Sequence, residues 1–82
     1  MTNFHYVYIL VDCLKNSHYY VGKTRDLKAR LAGHNSGQCP HTSKYKPWKL
    51  KTAIAFEKEE KATAFEAYLK THSGRAFATK HF

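Results

Sequence analysis

The first quarter of the chain has the hydrophobic pattern of strands, and a helical period follows it. Residues 4–11, Phe-His-Tyr-Val-Tyr-Ile-Leu-Val, are rich in the β-branched and aromatic types that fit a pleated, half-buried surface. Residues 18–22, His-Tyr-Tyr-Val-Gly, have the same character, and the Lys-Asn-Ser at 15–17 has the composition of a turn. These three segments together predict a β-hairpin.

A helix is predicted to begin near Asp26. Leu27, Leu31 and His34 follow at i, i+4 and i+7, which places them on one helical face. Either Thr24 or Asp26 can serve as the N-cap, because both residue types accept hydrogen bonds from the first backbone N–H groups of a helix.

The second half of the chain predicts a loop, a strand and a helix. Residues 36–48 carry Gly and Pro among scattered polar residues and predict an exposed loop. Residues 50–56 predict a third strand, and 59–71 predict a helix with apolar positions at helical spacing. Gly74 is expected to end that helix, and 75–82 to form a last short helical turn.

The order of these elements predicts an α+β fold, in which a small three-stranded, mostly antiparallel sheet is flanked by helices. A chain of 82 residues has room for one hydrophobic core, so we expect a single domain over residues 1–82. The apolar content of 43% is high enough that we expect the domain to fold without disulfides.

The positive charge of the protein is concentrated in the middle of the sequence. The formal net charge is +8, and residues 13–51 contain nine basic residues against a single acid, Asp26. This concentration favours a polyanionic partner, with a generally basic, solvated surface as the alternative. The basic residues do not follow one amphipathic helix, and no apolar stretch approaches the roughly 20 residues of a membrane span, so we expect no membrane partner.

The two cysteines, Cys13 and Cys39, are too few for a disulfide framework, so we expect reduced thiols and a cytoplasmic location. A zinc site built from Cys39, His41 and His34 is a distant alternative, because their spacing matches no common zinc motif.

Glu66 is the most informative polar position. It lies on the same predicted helical stripe as Ala62, Phe65 and Leu69, where an apolar residue is expected. An inward carboxylate must be paired with a cation, hydrogen-bonded, protonated or bound to a metal, because an unpaired buried charge is costly. A structural ion pair and a metal ligand both remain open from the pattern alone.

Five further residues have side chains suited to chemistry at a phosphate. Arg30 and His34 stand at i and i+4 on the first predicted helix, with Lys23 close to its start; a solvated basic face is the alternative. Tyr8 and Tyr20 lie on the two hairpin strands, where buried tyrosines more often serve packing alone.

The combination and order of these residues resemble the GIY-YIG nuclease family. The resemblance rests on Tyr-Val-Tyr at 6–8, Tyr-Val-Gly at 20–22, the helical run 26–35 and the segment 66–70, and it covers essentially the whole chain. The first motif has a tyrosine in place of the family's name-giving glycine, and the second has valine for isoleucine. Some members also have a late asparagine in the site, and no asparagine follows Asn35.

The resemblance implies a catalytic set of Tyr8, Tyr20, Arg30, His34 and Lys23, with Glu66 as the one ligand of Mg²⁺ or Mn²⁺. Arg30 is then the residue that neutralises phosphate charge, and Tyr8 the general base, with His34 relaying its proton. For this role we expect the nearby cations Lys23 and Arg30, together with the metal, to lower the pKa of Tyr8.

The function predicted from the resemblance is a metal-dependent endonuclease that hydrolyses phosphodiester bonds in DNA with a structural preference or weak specificity, in repair or recombination. Five basic residues are expected to contact nucleic acid: Lys23, Arg25, Lys44, Lys46 and Lys49.

Two other functions stay open. The first is a non-catalytic nucleic-acid-binding module that uses exposed aromatics such as Tyr45 and Trp48. The second is a protein-interaction adaptor, which the charge of the central segment disfavours.

Overall fold

The central strand of the sheet is β1 (His5–Asp12), which pairs antiparallel with β2 (Tyr19–Thr24) on one side and with β3 (Trp48–Phe56) on the other. The structure is a computed structural model that describes residues 3–82, so residues 1 and 2 of the predicted domain lie outside the described part. Because β1 is the inner strand, its residues from Val7 to Asp12 are all buried. The predicted α+β fold with an antiparallel sheet is confirmed.

The helices cover the two faces of the sheet separately. Helices α3 (Glu59–Leu69) and α4 (His72–His81) pack on the face of Val7 and Ile9. Helix α1 (Leu27–Asn35) packs on the opposite face, and its Leu27 and Leu31 contact the Tyr8, Leu10 and Trp48 cluster. The alternation of side chains along β1 therefore supplies both cores from one strand.

The helices differ from the prediction in the loop 36–48, in the length of the last helix and in the position of Gly74. The predicted loop 36–48 contains a short helix, α2 (Pro40–Ser43), which begins with a proline at its first position. Helix α4 has ten residues, beginning at His72, so the predicted last turn is in fact a helix of nearly three turns.

Gly74 does not end α3, as the sequence suggested, but lies buried in the first turn of α4. A Cβ at this position would collide with the Tyr68 carbonyl, so glycine is needed for the close approach of the two helices. The N-cap of α4 is Thr71, whose hydroxyl accepts a hydrogen bond from the Gly74 N–H at 3.0 Å.

The turn of the β1–β2 hairpin is organised by the buried carboxylate of Asp12. This carboxylate accepts hydrogen bonds from the backbone N–H groups of Lys15, Ser17 and His18 at 2.8–2.9 Å. The hydrogen bond from His18, followed by those from the other two amides, lowers the pKa of Asp12 despite its burial. The His18 ring in turn stacks on Tyr45, with 3.8 Å between ring centroids, which joins the hairpin to the loop between α2 and β3.

Trp48 closes the loop that follows α2. Its indole N–H donates to the Thr42 carbonyl at 2.8 Å, and the Asn35 side chain hydrogen-bonds both the N–H and the C=O of the Trp48 backbone. These bonds tie the end of α1 to the start of β3. Within residues 3–82, no helix combines the length and the hydropathy needed to cross a membrane.

Candidate catalytic site

The candidate site is built around the phenol of Tyr8, on the sheet face covered by α1. Tyr8 is 1% exposed and lies opposite Gly22 in the β1–β2 register. A Cβ at position 22 would collide with the Tyr8 hydroxyl and ring. Gly22, the glycine of the Tyr-Val-Gly motif, thus leaves the space that the ring of Tyr8 fills.

A chain of buried hydrogen bonds runs from Tyr8 to α2. The Tyr8 hydroxyl lies 3.0 Å from His34 Nε2, and His34 Nδ1 lies 2.8 Å from Thr42 Oγ1. The Thr42 hydroxyl donates to the Cys39 carbonyl, so it must accept from the Nδ1–H of His34. This assigns the Nδ1–H tautomer to His34 and makes Tyr8 the donor to Nε2.

The pKa values of both partners favour their neutral forms. Burial, followed by the repulsion of Arg30, lowers the pKa of His34 from 6.5. Burial, followed by the neighbouring Tyr20, raises the pKa of Tyr8 to about 12, and the positive charge of Arg30 opposes this only in part. Arg30 does lower the pKa of Tyr8, as expected of a nearby cation, but desolvation of the phenolate outweighs this attraction, so the net shift is upward.

Tyr20 and Arg30 are the members of this cluster that solvent reaches. Tyr20 is half-buried, and its ring centroid lies 4.8 Å from that of His34 and 6.3 Å from that of Tyr8. Arg30 is exposed and, with His34 and Cys39, lines a small cavity of about 320 Å³. Four of the predicted catalytic residues are thus brought together: Tyr8, Tyr20, Arg30 and His34.

Lys23 is not part of this cluster. Since Gly22 faces Tyr8, the alternation of strand β2 directs Lys23 to the other face of the sheet. There its Nζ donates to Thr63 Oγ1 at 2.7 Å and lies 3.4 Å from Glu59 Oε2, both on α3. The expectation that Lys23 faces the same site as Arg30 and His34 is therefore wrong in this structure.

Glu66 occupies the inward stripe of α3 between Ala62 and Leu69, both of which are buried. Its side chain is 22% exposed, and its Oε2 lies 3.3 Å from the Nζ of Lys70, one turn further along the helix. Among the described residues, no hydrogen bond or ion pair joins Glu66 to the tyrosine and histidine cluster.

The donor set around Glu66 bears on the metal that the family resemblance implies. Within residues 3–82, no three His, Cys, Asp or Glu residues are close enough to hold a metal together. One partly exposed carboxylate is nevertheless a sufficient protein ligand for Mg²⁺, which usually keeps several waters and binds substrate phosphates. The chemistry of Glu66 therefore fits a metal held by a single carboxylate.

A cleft of about 830 Å³ borders both groups of residues. Tyr20 of the cluster and Lys70, the partner of Glu66, both line it. The cleft lies at the hairpin end of the sheet, against α3 and α4, where its lining includes the side chains of Ile9 and Leu69.

The residues expected to contact nucleic acid differ in exposure. Four of them are exposed, namely Arg25, Lys44, Lys46 and Lys49, whereas Lys23 is engaged with α3 as described above. Tyr45 is exposed and carries the Lys44 ammonium 5.8 Å from its ring centroid. Trp48 is buried, so its predicted role as an exposed aromatic is wrong.

The zinc alternative finds no support in the described residues. Both ring nitrogens of His34 are already hydrogen-bonded, to Tyr8 and Thr42. Since a zinc-bound histidine needs one free nitrogen, His34 cannot bind a metal without breaking this chain.

A comparison with models of known protein families identifies the family of this chain. The model of a family described as the GIY-YIG catalytic domain matches residues 4–80, which is nearly the whole chain. The chain belongs to the GIY-YIG family. The resemblance inferred from the Tyr-Val-Tyr and Tyr-Val-Gly motifs is thereby confirmed.

Similar GIY-YIG proteins are found among small bacterial proteins. A UPF0213 protein of Streptococcus pneumoniae is 44% identical over 66 residues, and the match covers 79% of this chain but only 65% of that protein. A UPF0213 protein of Listeria innocua is 41% identical over 69 residues, covering 83% and 74% of the two chains. The solution NMR structure of a UPF0213 protein from Bacillus halodurans has a TM-score of 0.57 at 30% identity, covering 94% of this chain and 83% of that one.

Two residues of the site were missed at the sequence level. Thr42 is buried and completes the hydrogen-bonding chain of His34, and Asn35 anchors the backbone of Trp48. A polar residue at the end of α1 is a sign that could have pointed to the role of Asn35. Nothing local marked Thr42, because its burial depends on how the loop folds back onto α1.

Proposed function

We propose that this GIY-YIG protein is a metal-dependent endonuclease that hydrolyses phosphodiester bonds in DNA. The observation that carries the proposal is the cluster of Tyr8, Tyr20, Arg30 and His34 in the described structure of a GIY-YIG catalytic domain. The basic residues of segment 13–51 supply the attraction for a polyanion. We propose a cytoplasmic role in repair or recombination.

Arg30 is the group best placed to bind the scissile phosphate. Its guanidinium is exposed at the rim of the small cavity, and its planar donors can form two parallel hydrogen bonds to phosphate oxygens. The charge that develops on those oxygens in the transition state would strengthen these bonds.

The two tyrosines take different roles. Tyr20 is half-buried and therefore accessible to a water molecule or a phosphate oxygen, which it would orient. Tyr8 is buried and donates to a neutral His34, so we assign it to holding the histidine and the neighbouring Tyr20 ring in place. The buried chain to Thr42 then keeps the orientation of His34 fixed.

Glu66 is the residue that would hold Mg²⁺ or Mn²⁺. A divalent ion there would supply positive charge that polarises the phosphate. The Lys70 ammonium, 3.3 Å from the carboxylate, would have to move away from it for the ion to bind.

The test is a cleavage assay on single-stranded, duplex, branched and flap DNA with Mg²⁺ or Mn²⁺. We expect wild type to cleave at least one substrate, Glu66→Gln to lose cleavage while remaining folded, and EDTA to abolish it. The matched control is Glu60→Gln, an exposed glutamate in the first turn of the same helix, which should cleave like wild type.

The non-catalytic binding module is the second candidate. The ion pair of Glu66 with Lys70, apart from the tyrosine cluster, favours it. Binding that persists in EDTA and in Glu66→Gln, with no cleavage by wild type on any substrate, would decide for the module and against the nuclease.

A further inference from the structure

The cleft of about 830 Å³ between the sheet and helices α3 and α4 has the composition of a nucleotide-binding surface. Its apolar lining consists of Ile9, Val21, Leu69 and Ala78, of which Ile9 and Leu69 are buried. Ligand pockets commonly have volumes of about 300–1,000 Å³ and a mostly apolar lining. The described lining contains no acidic residue.

An exposed aromatic ring stands at the edge of this cleft. Tyr19 is 57% exposed, and it lines the cleft beside Val21. Its ring lies 5.6 Å from the Nζ of Lys51, so the ring is already in a cationic environment. Aromatic rings in this position provide stacking surfaces for bases in proteins that bind single strands.

Three cations complete the lining. They are Lys51 on β3, Lys70 at the end of α3 and Arg75 on α4. Within residues 3–82, Lys51 and Arg75 form no ion pair, and Lys70 pairs with Glu66 outside the lining. The cleft thus combines an apolar lining, a stacking ring and two cations, Lys51 and Arg75, that have no ion-pair partner among the described residues.

We propose that this cleft binds an unpaired nucleotide of single-stranded nucleic acid, its base packed against the apolar lining and Tyr19, its flanking phosphates contacted by Lys51, Lys70 and Arg75. The cations of the lining favour a ligand with phosphate groups, and the apolar surface with the Tyr19 ring favours a ligand that also has a nucleobase. The inference rests on the proposed function in taking nucleic acid as the partner.

A base inside a duplex cannot bind to this surface in the proposed way. Both of its faces are covered by neighbouring base pairs, so it has no free face to place against Tyr19 unless it is unstacked. Tyr20 borders the cleft, whereas its ring packs against the tyrosine cluster on the opposite face of the sheet, so a bound nucleotide would lie across β2 from that cluster. The cleft would therefore direct the protein to substrates with an unpaired segment, such as flaps and branches.

The experiment measures binding without cleavage. A fluorescent single-stranded oligonucleotide and a duplex of the same sequence are titrated with protein in EDTA, and fluorescence anisotropy reports the dissociation constants. We expect Tyr19→Ala to weaken binding of the single strand by about fivefold or more, as for loss of one base-stacking contact, while duplex binding changes little. Tyr19→Phe keeps the ring and should bind like wild type.

Matched controls separate the cleft from general charge and folding effects. Arg75→Gln should weaken single-strand binding, whereas Lys80→Gln, an exposed cation on the same helix outside the lining, should not. Leu14→Ala removes an exposed apolar side chain outside the cleft and should be neutral. A second readout is an oligonucleotide containing 2-aminopurine, whose fluorescence should fall on binding to wild type but not to Tyr19→Ala.

Equal losses for single strand and duplex, or no loss in Tyr19→Ala, would overturn the proposal. The nuclease proposal fails separately. If wild type cleaves nothing but single-strand binding depends on Tyr19, the cleft stands and the nuclease does not. If cleavage depends on Glu66 while Tyr19→Ala binds and cleaves like wild type, the reverse holds.

Discussion

Gly22 lies directly across the β1–β2 ladder from Tyr8, and the hydroxyl and ring of Tyr8 occupy the space that a side chain at position 22 would need. The two motifs that mark the family are therefore two halves of one packing arrangement. The first motif provides the buried phenol, and the second provides both the room for it and, through Tyr20, the ring beside His34.

This arrangement predicts that Gly22→Ala destabilises the protein. Inserting a methyl group into an occupied site forces side chains or backbone to shift, which typically costs about 1–3 kcal/mol in the free energy of unfolding. Urea denaturation measures the effect. The control is Gly33→Ala, whose Cβ would meet only the flexible end of the Gln38 side chain. The cost of Gly22→Ala should be smaller in a Tyr8→Leu background, and equal costs in both backgrounds would contradict the collision.

The buried, neutral state of His34 predicts a loss of stability as the pH falls. Its folded-state pKa lies below the unfolded value of 6.5, chiefly because of burial. The unfolded chain therefore binds a proton that the folded protein does not, so this contribution is complete above pH 6.5 and declines as the pH falls through and below that value. Urea denaturation as a function of pH measures it. His34→Gln should remove this part of the pH dependence, and the exposed His72→Gln should leave it in place.

Asp12 predicts a separate transition at more acidic pH. Hydrogen bonds from the backbone amides of His18 and its neighbours lower its folded-state pKa below 3.8. The carboxylate therefore contributes stability that is complete above that value and is lost as the pH falls through the folded pKa. Asp12→Asn should lower the unfolding temperature at neutral pH, and its difference from wild type should shrink in acid. A constant difference at every pH would show that the charge of the carboxylate does not matter.

Arg30 predicts two linked effects, provided that the nuclease proposal holds. Arg30→Ala should reduce single-turnover cleavage by about 10²–10³-fold, the usual loss when one donor to a developing oxyanion is removed. Arg30→Lys should restore only part of the rate, because lysine cannot form the paired hydrogen bonds of a guanidinium. The pKa of His34, followed by NMR, should rise in Arg30→Ala, since Arg30 lowers it. Lys28→Ala, an exposed control on the same helix, should change neither.

The lysines of the loop between α2 and β3 predict a steep dependence of binding on salt. If Lys44 contacts a duplex phosphate, Lys44→Gln should reduce the slope of log K against log salt by about 0.9, the value for one released counterion. Fluorescence anisotropy over a range of salt concentrations measures the slope. Lys61→Gln, an exposed lysine on α3 outside the central basic segment, serves as the control. A wild-type affinity that does not change with salt would contradict the polyanion assignment.

The sequence by itself determined the hairpin, the first helix and the antiparallel α+β fold, because these follow from local periodicity and capping. Asp26 does cap α1, accepting from the Ala29 N–H at 3.0 Å, as the pattern indicated. The sequence also indicated the family, because the order and spacing of the two tyrosine motifs, Arg30 and Glu66 can be read directly along the chain.

The tertiary structure alone decided the environment of each site residue. The partner of Lys23 is on α3, far from it in sequence. The pKa of Tyr8 is set by burial against other segments, and the hydroxyl that completes the His34 chain belongs to Thr42 on α2. The cleft beside Tyr19 likewise needs β2, β3, α3 and α4 together. Periodicity reports which side of an element is apolar, but solvation and electrostatic coupling arise only when several elements enclose the same volume.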